Sequence, residues 1–245
     1  QILGVSISPT SYAAACDQIL AWVGQAESRF VCFANVHMIM TAFDDPSFRA
    51  KLNQADLVTP DGMPLVWTLR LKGFQRQARV YGPTLTQHIL PLLEEQRIPI
   101  GFLGSRPGVL GKLQENILQE HPNIHIAYAY SPPFRELSEA ENQQIIDQIN
   151  SEGVRVLFVG LGCPKQEVWM HAHRRKVKAV MLGVGAAFDF IAGLKPQAPL
   201  WIQRLGLEWF YRLLSEPKRL WKRYFYHNPR FVAAVACELL QEKIK

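Results

Sequence analysis

The feature that most limits how this chain can fold is an alternation that stops. Short β-rich runs alternate with stretches of helical spacing as far as Val184, and after Gly193-Leu194-Lys195-Pro196 no strand signal follows. The predicted strands cover 2–7, 30–34, 57–59, 79–81, 100–103, 124–130, 154–159 and 179–184. Several are apolar at nearly every position, with Arg155 the exception in the seventh. Such runs suit strands covered on both faces, as in a parallel sheet between helices. Helical spacing covers 11–23, 84–96, 107–120 and 138–149, the last opened by a Ser138-x-x-Glu141 capping box. The alternation predicts an α/β fold with a mostly parallel sheet flanked by helices. From Pro199 onward everything reads as helix, with breaks expected at Glu216-Pro217 and Asn228-Pro229. The expected division is an α/β domain over 1–196 and a helical C-terminal appendage over 197–245.

Charge follows the same boundary. Of the net +6, residues 1–196 carry +1 and residues 197–245 carry +5, with nine of the 26 aromatic residues. A basic, aromatic tail on a near-neutral body indicates two parts with two tasks. The chain of 245 residues, 48% hydrophobic, is long enough for one substantial core. Cysteines at 16, 32, 163 and 237 form no CxxC pair and no zinc-finger spacing, which suits reduced thiols in the cytoplasm. The opening ILGVSIS reads as an apolar strand rather than a leader, and no apolar run reaches the length of a bilayer span.

In a parallel α/β sheet, ligands gather at the C-terminal ends of the strands, so the segments just after strands are where chemistry is sought. Asn35 follows 30–34; it reads either as the N-cap of the next helix or as a group that meets a polar ring or hydroxyl. Asp61, between Pro60 and Gly62, reads either as a turn residue or as a carboxylate general base, able to take the proton of an attacking hydroxyl. Gly104 in FLGSRPG opens a helix whose free N–H groups suit phosphate; an ordinary tight turn accounts for it equally. In GLGCPKQE, Lys165 and Gln166 sit at the first turn of a helix, where an anion binds well, and Glu167 beside them is a further substrate-binding candidate. In GVGAAFDF, Gly185 allows close approach and Asp189 is either a partner for ribose hydroxyls or a cap or buried ion-pair residue. Neither GxG run continues to the third glycine of a dinucleotide fingerprint, which disfavours a nicotinamide dehydrogenase.

On a helical wheel of 218–226, Lys218, Arg219, Lys222 and Arg223 occupy one side, and Leu220, Trp221, Tyr224 and Phe225 the other. An interfacial helix has this division, with aromatics among headgroups and cations toward anionic lipid or a lipid diphosphate. The alternative is an amphipathic helix packed on the body with a solvated basic face. No DxD triplet occurs, so the expectation is no metal and no cofactor, with helix ends and basic side chains meeting the charge of a leaving group. A non-catalytic membrane- or nucleic-acid-binding module also fits the basic tail, but not the acidic and glycine-bearing segments of the near-neutral body.

The order of these blocks matters more than any one. Asn35, LNQADLVTPDG (52–62), RVYG (79–82), FLGS (102–105), GLGCPKQE (160–167), GVGAAFDFIAG (183–193) and RLGLEWFYRLLSEPKRLWKRY (204–224) together resemble the WecG/TagA/CpsF glycosyltransferase family over nearly the whole chain. The resemblance implies an inverting transferase with a Rossmann-like body and a helical appendage, metal-independent and peripheral at the inner face of the cell membrane. It implies a UDP-sugar donor carrying N-acetylmannosamine, its uronic acid, glucose or glucuronic acid. The implied acceptor is an undecaprenyl-diphosphate-linked sugar, a polyprenyl-diphosphate substrate of surface polysaccharide synthesis, and no nucleic acid. By the same resemblance Asp61 is the catalytic base, Arg79 and Gln166 lie near the donor diphosphate and sugar, and Asp189 is the nucleotide-side carboxylate. Arg212, Arg219 and Lys222 would point cations at the acceptor diphosphate, with Arg223 and Trp221 beside them at the membrane. Lys222 departs from an arginine pattern and gives up the bidentate contact. Phe33 and His37 also depart from the pattern around Asn35, which leaves the donor sugar open. The exposed aromatic tail equally suits pairing of protomers into a homo-oligomer.

Overall fold

A computed structural model describes residues 1–244, and the side chains of all of these except residues 200, 204, 243 and 244. The chain runs α1 (Tyr12–Gly24), β1 (Arg29–Ala34), α2 (Val36–Asp44), α3 (Pro46–Leu52), β2 (Leu57–Pro60), α4 (Met63–Leu71) and α5 (Gly82–Glu95). It continues through β3 (Ile100–Gly104), α6 (Pro107–Glu120), β4 (Ile126–Tyr130), α7 (Glu139–Ser151), β5 (Val156–Gly160), α8 (Lys165–His173), β6 (Val180–Gly183) and α9 (Ala187–Ile191). The C-terminal part is α10 (Leu200–Arg204), α11 (Glu208–Ser215) and α12 (Pro217–Ile244).

The six strands form one parallel sheet in the order β2-β1-β6-β5-β3-β4, a Rossmann-like α/β fold. The continuous apolar runs are explained by the pleat, which sends alternate residues to opposite faces. In β1, Phe30, Cys32 and Ala34 enter one core, whereas Val31 and Phe33 enter the other. The first core is closed by α2, α3, α4, α7, α8 and the distal half of α12; the second by α1, α5, α6 and α9. Thus β1, β2 and β5 feed helices on one face, and β3 and β6 feed helices on the other. Loops part where neighbouring strands diverge in this way, which opens a crevice along their C-terminal edge.

Two predicted strands are absent from the sheet. Residues 2–7 instead form a tight turn: Leu3 (φ 49) and Gly4 (φ 79) bring Ile2 and Val5 into a single antiparallel bridge. Residues 79–81 run beside β2 with one backbone bond, Val80 N–H to Pro60 O at 3.0 Å, but Gly82 and Pro83 start α5 before a ladder forms. The break expected at Glu216-Pro217 is present, since Glu216 caps α11 and Pro217 starts α12. The one expected at Asn228-Pro229 is not: α12 runs through Pro229. A proline inside a helix costs about 3 kcal/mol. Burial of Leu220 on one side of it and of Phe231 and Val235 on the other offsets that cost. Among the described residues no helix is long and apolar enough to cross a membrane.

Candidate active site

The parallel register places the first two motifs side by side. Phe33 pairs with Thr59 and Ala34 with Pro60, so Asn35 and Asp61 emerge together at the C-terminal edge of β1 and β2. The Asp61 N–H donates to Ala34 O at 2.9 Å. Gly62 lets this turn pass close to β1, because a Cβ there would lie 3.4 Å from the Asn35 Cα. The Asn35 side chain caps α2 by accepting from the Met38 N–H at 3.2 Å, and the same oxygen lies 3.5 Å from Arg223 Nη2. The N-cap reading therefore holds, on a residue that also faces an open cavity.

That cavity, about 260 Å³, lies between the strand ends and the C-terminal helices. Asn35, His37, Asp61 and Arg79 line it from the body, and Glu208, Arg212, Arg223, Tyr224 and His227 from α11 and α12. Arg79 organises its floor. Its Nε donates to the Asp61 backbone carbonyl, its Nη2 reaches Asp61 Oδ1 at 3.3 Å, and its Nη1 donates to Glu208 Oε2 at 2.6 Å. The guanidinium also stacks over the Tyr81 ring, 3.9 Å from its centroid. Burial lifts the Asp61 carboxyl from 3.8 to about 6; Arg79 opposes the rise, Glu208 adds to it and Arg212 opposes it. Burial, with help from Arg223 and His227, pushes His37 down to about 3, so its imidazole is neutral.

Arg212 and Arg223 make no ion pair among the described residues. Arg223 keeps a buried Nε–H without a partner, as do the Nδ1 atoms of His37 and His227, whose rings lie 5.1 Å apart. Unpaired cations and unpaired buried donors facing a cavity suit an anionic, oxygen-rich ligand. Arg212 also lies over the Phe190 ring at 5.6 Å, which joins this cavity to the segment after β6.

The other expected site residues lie outside the cavity lining. Gly104 (φ 128) packs on β5: a Cβ there would sit 2.5 Å from the Gly160 carbonyl carbon. Lys165 is exposed at the start of α8. Gln166 is buried, donating to Gly183 O and Glu167 Oε1, both at 2.7 Å, and accepting from the Gly162 N–H at 3.2 Å. It thereby ties the loops after β5 and β6 together, with Gly185 (φ 53) against its side chain. Glu167 is buried, and burial raises its carboxyl from 4.5 to about 7. Asp189 pairs with Lys195 at 3.0 Å, and Lys195 in turn with Glu216 at 3.3 Å. Arg219 pairs with Glu216 at 2.9 Å, and Lys222 lies over the exposed Trp221 at 5.7 Å. Among the described residues no group of three or more His, Cys, Asp or Glu side chains is placed to hold a metal ion.

Glu208 and His227 went unmarked in the sequence reading. The signal for Glu208 was available: it is one of only four acids in a tail with nine basic residues, and it stands inside an aromatic block.

Comparison with known proteins agrees with this architecture. Residues 1–245 match the Glycosyl transferase WecG/TagA/CpsF family. The chain is 31% identical over 215 residues to the N-acetylglucosaminyldiphosphoundecaprenol N-acetyl-beta-D-mannosaminyltransferase of Bacillus spizizenii strain W23, covering 87% of this chain and 81% of that protein. It is 31% identical over 203 residues to the protein of the same description from Bacillus subtilis strain 168, covering 82% of this chain and 77% of that protein. The chain belongs to the WecG/TagA/CpsF family of glycosyltransferases.

Proposed function

We propose that this glycosyltransferase moves a hexose-type sugar from a UDP-sugar to a sugar carried on undecaprenyl diphosphate, in the synthesis of a cell-surface polysaccharide. The two relatives are named for transfer of N-acetylmannosamine to such an acceptor, which puts that sugar ahead of its uronic acid, glucose and glucuronic acid. The observation that carries the reading is Asp61: a largely buried carboxyl at a strand end, facing a cavity also lined by Arg212 and Arg223, which make no ion pair among the described residues, with its proton affinity raised to about 6. A base is most effective when its pKa approaches the working pH while it remains ionised, and about 6 meets both conditions at neutrality.

In the proposed reaction an acceptor hydroxyl attacks the anomeric carbon from the face opposite the diphosphate. The new C–O bond forms as the bond to the leaving phosphate breaks. UDP departs with the electron pair, and the hydroxyl proton passes to the Asp61 carboxylate. The donor lies along the strand ends, over the loop after β3 that follows Gly104 and the loops after β5 and β6 that Gln166 ties together. Arg212 and Arg223 meet the acceptor diphosphate from the cavity wall, with Arg219 and Lys222 on the same helix as Arg223. Exposed Trp201, Trp221, Phe225 and Tyr226 with neighbouring basic residues seat residues 197–228 on the inner face of the membrane, beside the lipid-linked acceptor.

The test is Asp61→Asn. A carboxylate base contributes ~10²–10⁴-fold to turnover, so the variant should lose at least about two orders of magnitude in kcat. Binding of UDP, measured by calorimetry, should persist. Turnover near that of the parent would remove Asp61 from the role.

A further inference from the structure

The ion pairs on the floor of the cavity are unequal, and the inequality has a chemical consequence. An arginine facing one carboxylate ordinarily takes it in a fork of two short N–H···O bonds. Arg79 does not do this with Asp61. Its short bond, 2.6 Å, goes to Glu208, which reaches it from α11 across 129 residues of sequence. Its Nε is occupied by the Asp61 backbone carbonyl, and the remaining contact with the Asp61 carboxylate is the long one, 3.3 Å. Arg79 and Glu208 are both largely buried, with side chains 15% and 9% exposed, so their charges act on Asp61 with little screening by water.

We propose that Glu208 is a positioning residue for the base: by holding one arm of the Arg79 guanidinium from α11, it keeps that cation from closing on the Asp61 carboxylate. The inference rests on the reading of Asp61 as the base. Two carboxylates then share one cation, and Asp61 stays protonatable near neutrality instead of becoming the inert half of a closed salt bridge. The other groups facing the site leave this balance in place. Arg212 on α11 opposes the rise at Asp61, but is the smallest influence named for it. Tyr12 from α1 and Tyr81 are held in their neutral forms by burial. On α12, Arg223 bonds toward Asn35, and Tyr224 and His227 are neutral, as is His37 on α2.

Removing the Glu208 charge has two effects of the same sign. It deletes a like charge beside Asp61, and it frees Nη1 to complete the fork. An opposite charge at contact lowers a carboxyl by about one to three pH units. The test follows the Asp61 carboxyl carbon by NMR in the full-length chain labelled with ¹³C-aspartate. The chain has seven aspartates, and Asp61 is assigned by the resonance lost in Asp61→Asn. In Glu208→Gln the Asp61 midpoint should fall by at least about one pH unit. The acid limb of kcat/KM, measured with UDP-N-acetylmannosamine and a soluble N-acetylglucosamine-diphosphate lipid analogue, should move the same way. Glu208→Asp should restore most of both. A residue that merely braces α11 would lower the melting temperature and leave the midpoint in place; an unmoved midpoint in folded Glu208→Gln overturns the proposal. If Glu208→Gln does not fold, Glu208→Ser carries the test, because it also removes the carboxylate that holds Nη1 and should lower the midpoint in the same direction. An unmoved midpoint there overturns the proposal equally. Full activity in Asp61→Asn would instead overturn the reading of Asp61 as the base, and the NMR result would still decide whether Glu208 sets its protonation.

Discussion

Replacing Glu167 by glutamine should make the protein more stable at neutral pH and remove part of its pH dependence. Glu167 lies at the first turn of α8, 1% exposed, and no cation among the described residues pairs with it. One carboxylate oxygen accepts from Gln166 Nε2 at 2.7 Å, a bond that a glutamine oxygen can also accept. Burial raises this carboxyl from 4.5 to about 7. Between those values the folded chain holds a proton that the unfolded chain has released. Stability therefore falls as pH rises from about 4.5 to about 7, and is level above that. At about 1.4 kcal/mol per pH unit, the folded state gives up on the order of 3 kcal/mol over this window. Glutamine carries no such charge and should not lose it. Asp61, also raised by burial, titrates in both proteins and cancels from the difference. Urea unfolding of parent and Glu167→Gln at pH 5 and pH 8 measures the effect. The variant should gain about 2–3 kcal/mol relative to the parent between the two conditions. Parallel pH profiles would show that Glu167 is ionised at little cost in the folded chain, and that the burial argument is wrong.

Two further outcomes follow from the geometry. Gly104→Ala places a Cβ 2.5 Å from a backbone carbon of β5 in a conformation with positive φ. A backbone atom cannot swing aside, so the variant should lose several kcal/mol, on the order of 3–5, in chemical denaturation; a loss below about 1 kcal/mol would mean that the β3–β5 edge is softer than its packing indicates. Trp221→Ser with Phe225→Ser removes two exposed aromatics of α12 and should sharply reduce sedimentation with anionic phosphatidylglycerol vesicles while the circular dichroism spectrum is unchanged. Undiminished sedimentation would refute the reading of these aromatics as a membrane contact.

The parts of the fold legible in the sequence were those decided locally. The mainly apolar runs 30–34, 57–59, 100–103 and 154–159 all correspond to strands of the sheet, because burial on both faces leaves few polar positions, Thr59 and Arg155, to confuse the pattern. The Ser138/Glu141 box forms in both directions, with Glu141 N–H to the Ser138 hydroxyl at 3.2 Å and Ser138 N–H to the Glu141 carboxylate at 2.8 Å. Decisions made at long range were not legible. Residues 79–81 have the composition of a strand, but their place is set by Pro83 and by the docking of Arg79 onto groups 18 and 129 residues away. Pro229 signals a break locally and is overruled by the core that receives Phe231. The place of Asp61 at a strand end facing the cavity was legible, whereas its link to Glu208 through Arg79 was not. Gln166, read as a ligand group from its place at a helix start, spends its hydrogen bonds on the protein.

The long helix α12 limits which segments can be exchanged between relatives. Its 28 residues span about 42 Å. The proximal half walls the cavity through Arg223, Tyr224 and His227, while the distal half is built into the body by Phe231 and Val235 and fastened by Arg230 to Asp44 and by Lys72 to Glu238. Composition divides near residue 196; packing does not. A chimaera spliced at that point would import a foreign keel together with a foreign cavity wall. Transplanting 197–228 alone, with Pro229 onward left native, exchanges the exposed aromatic surface and leaves the hull intact.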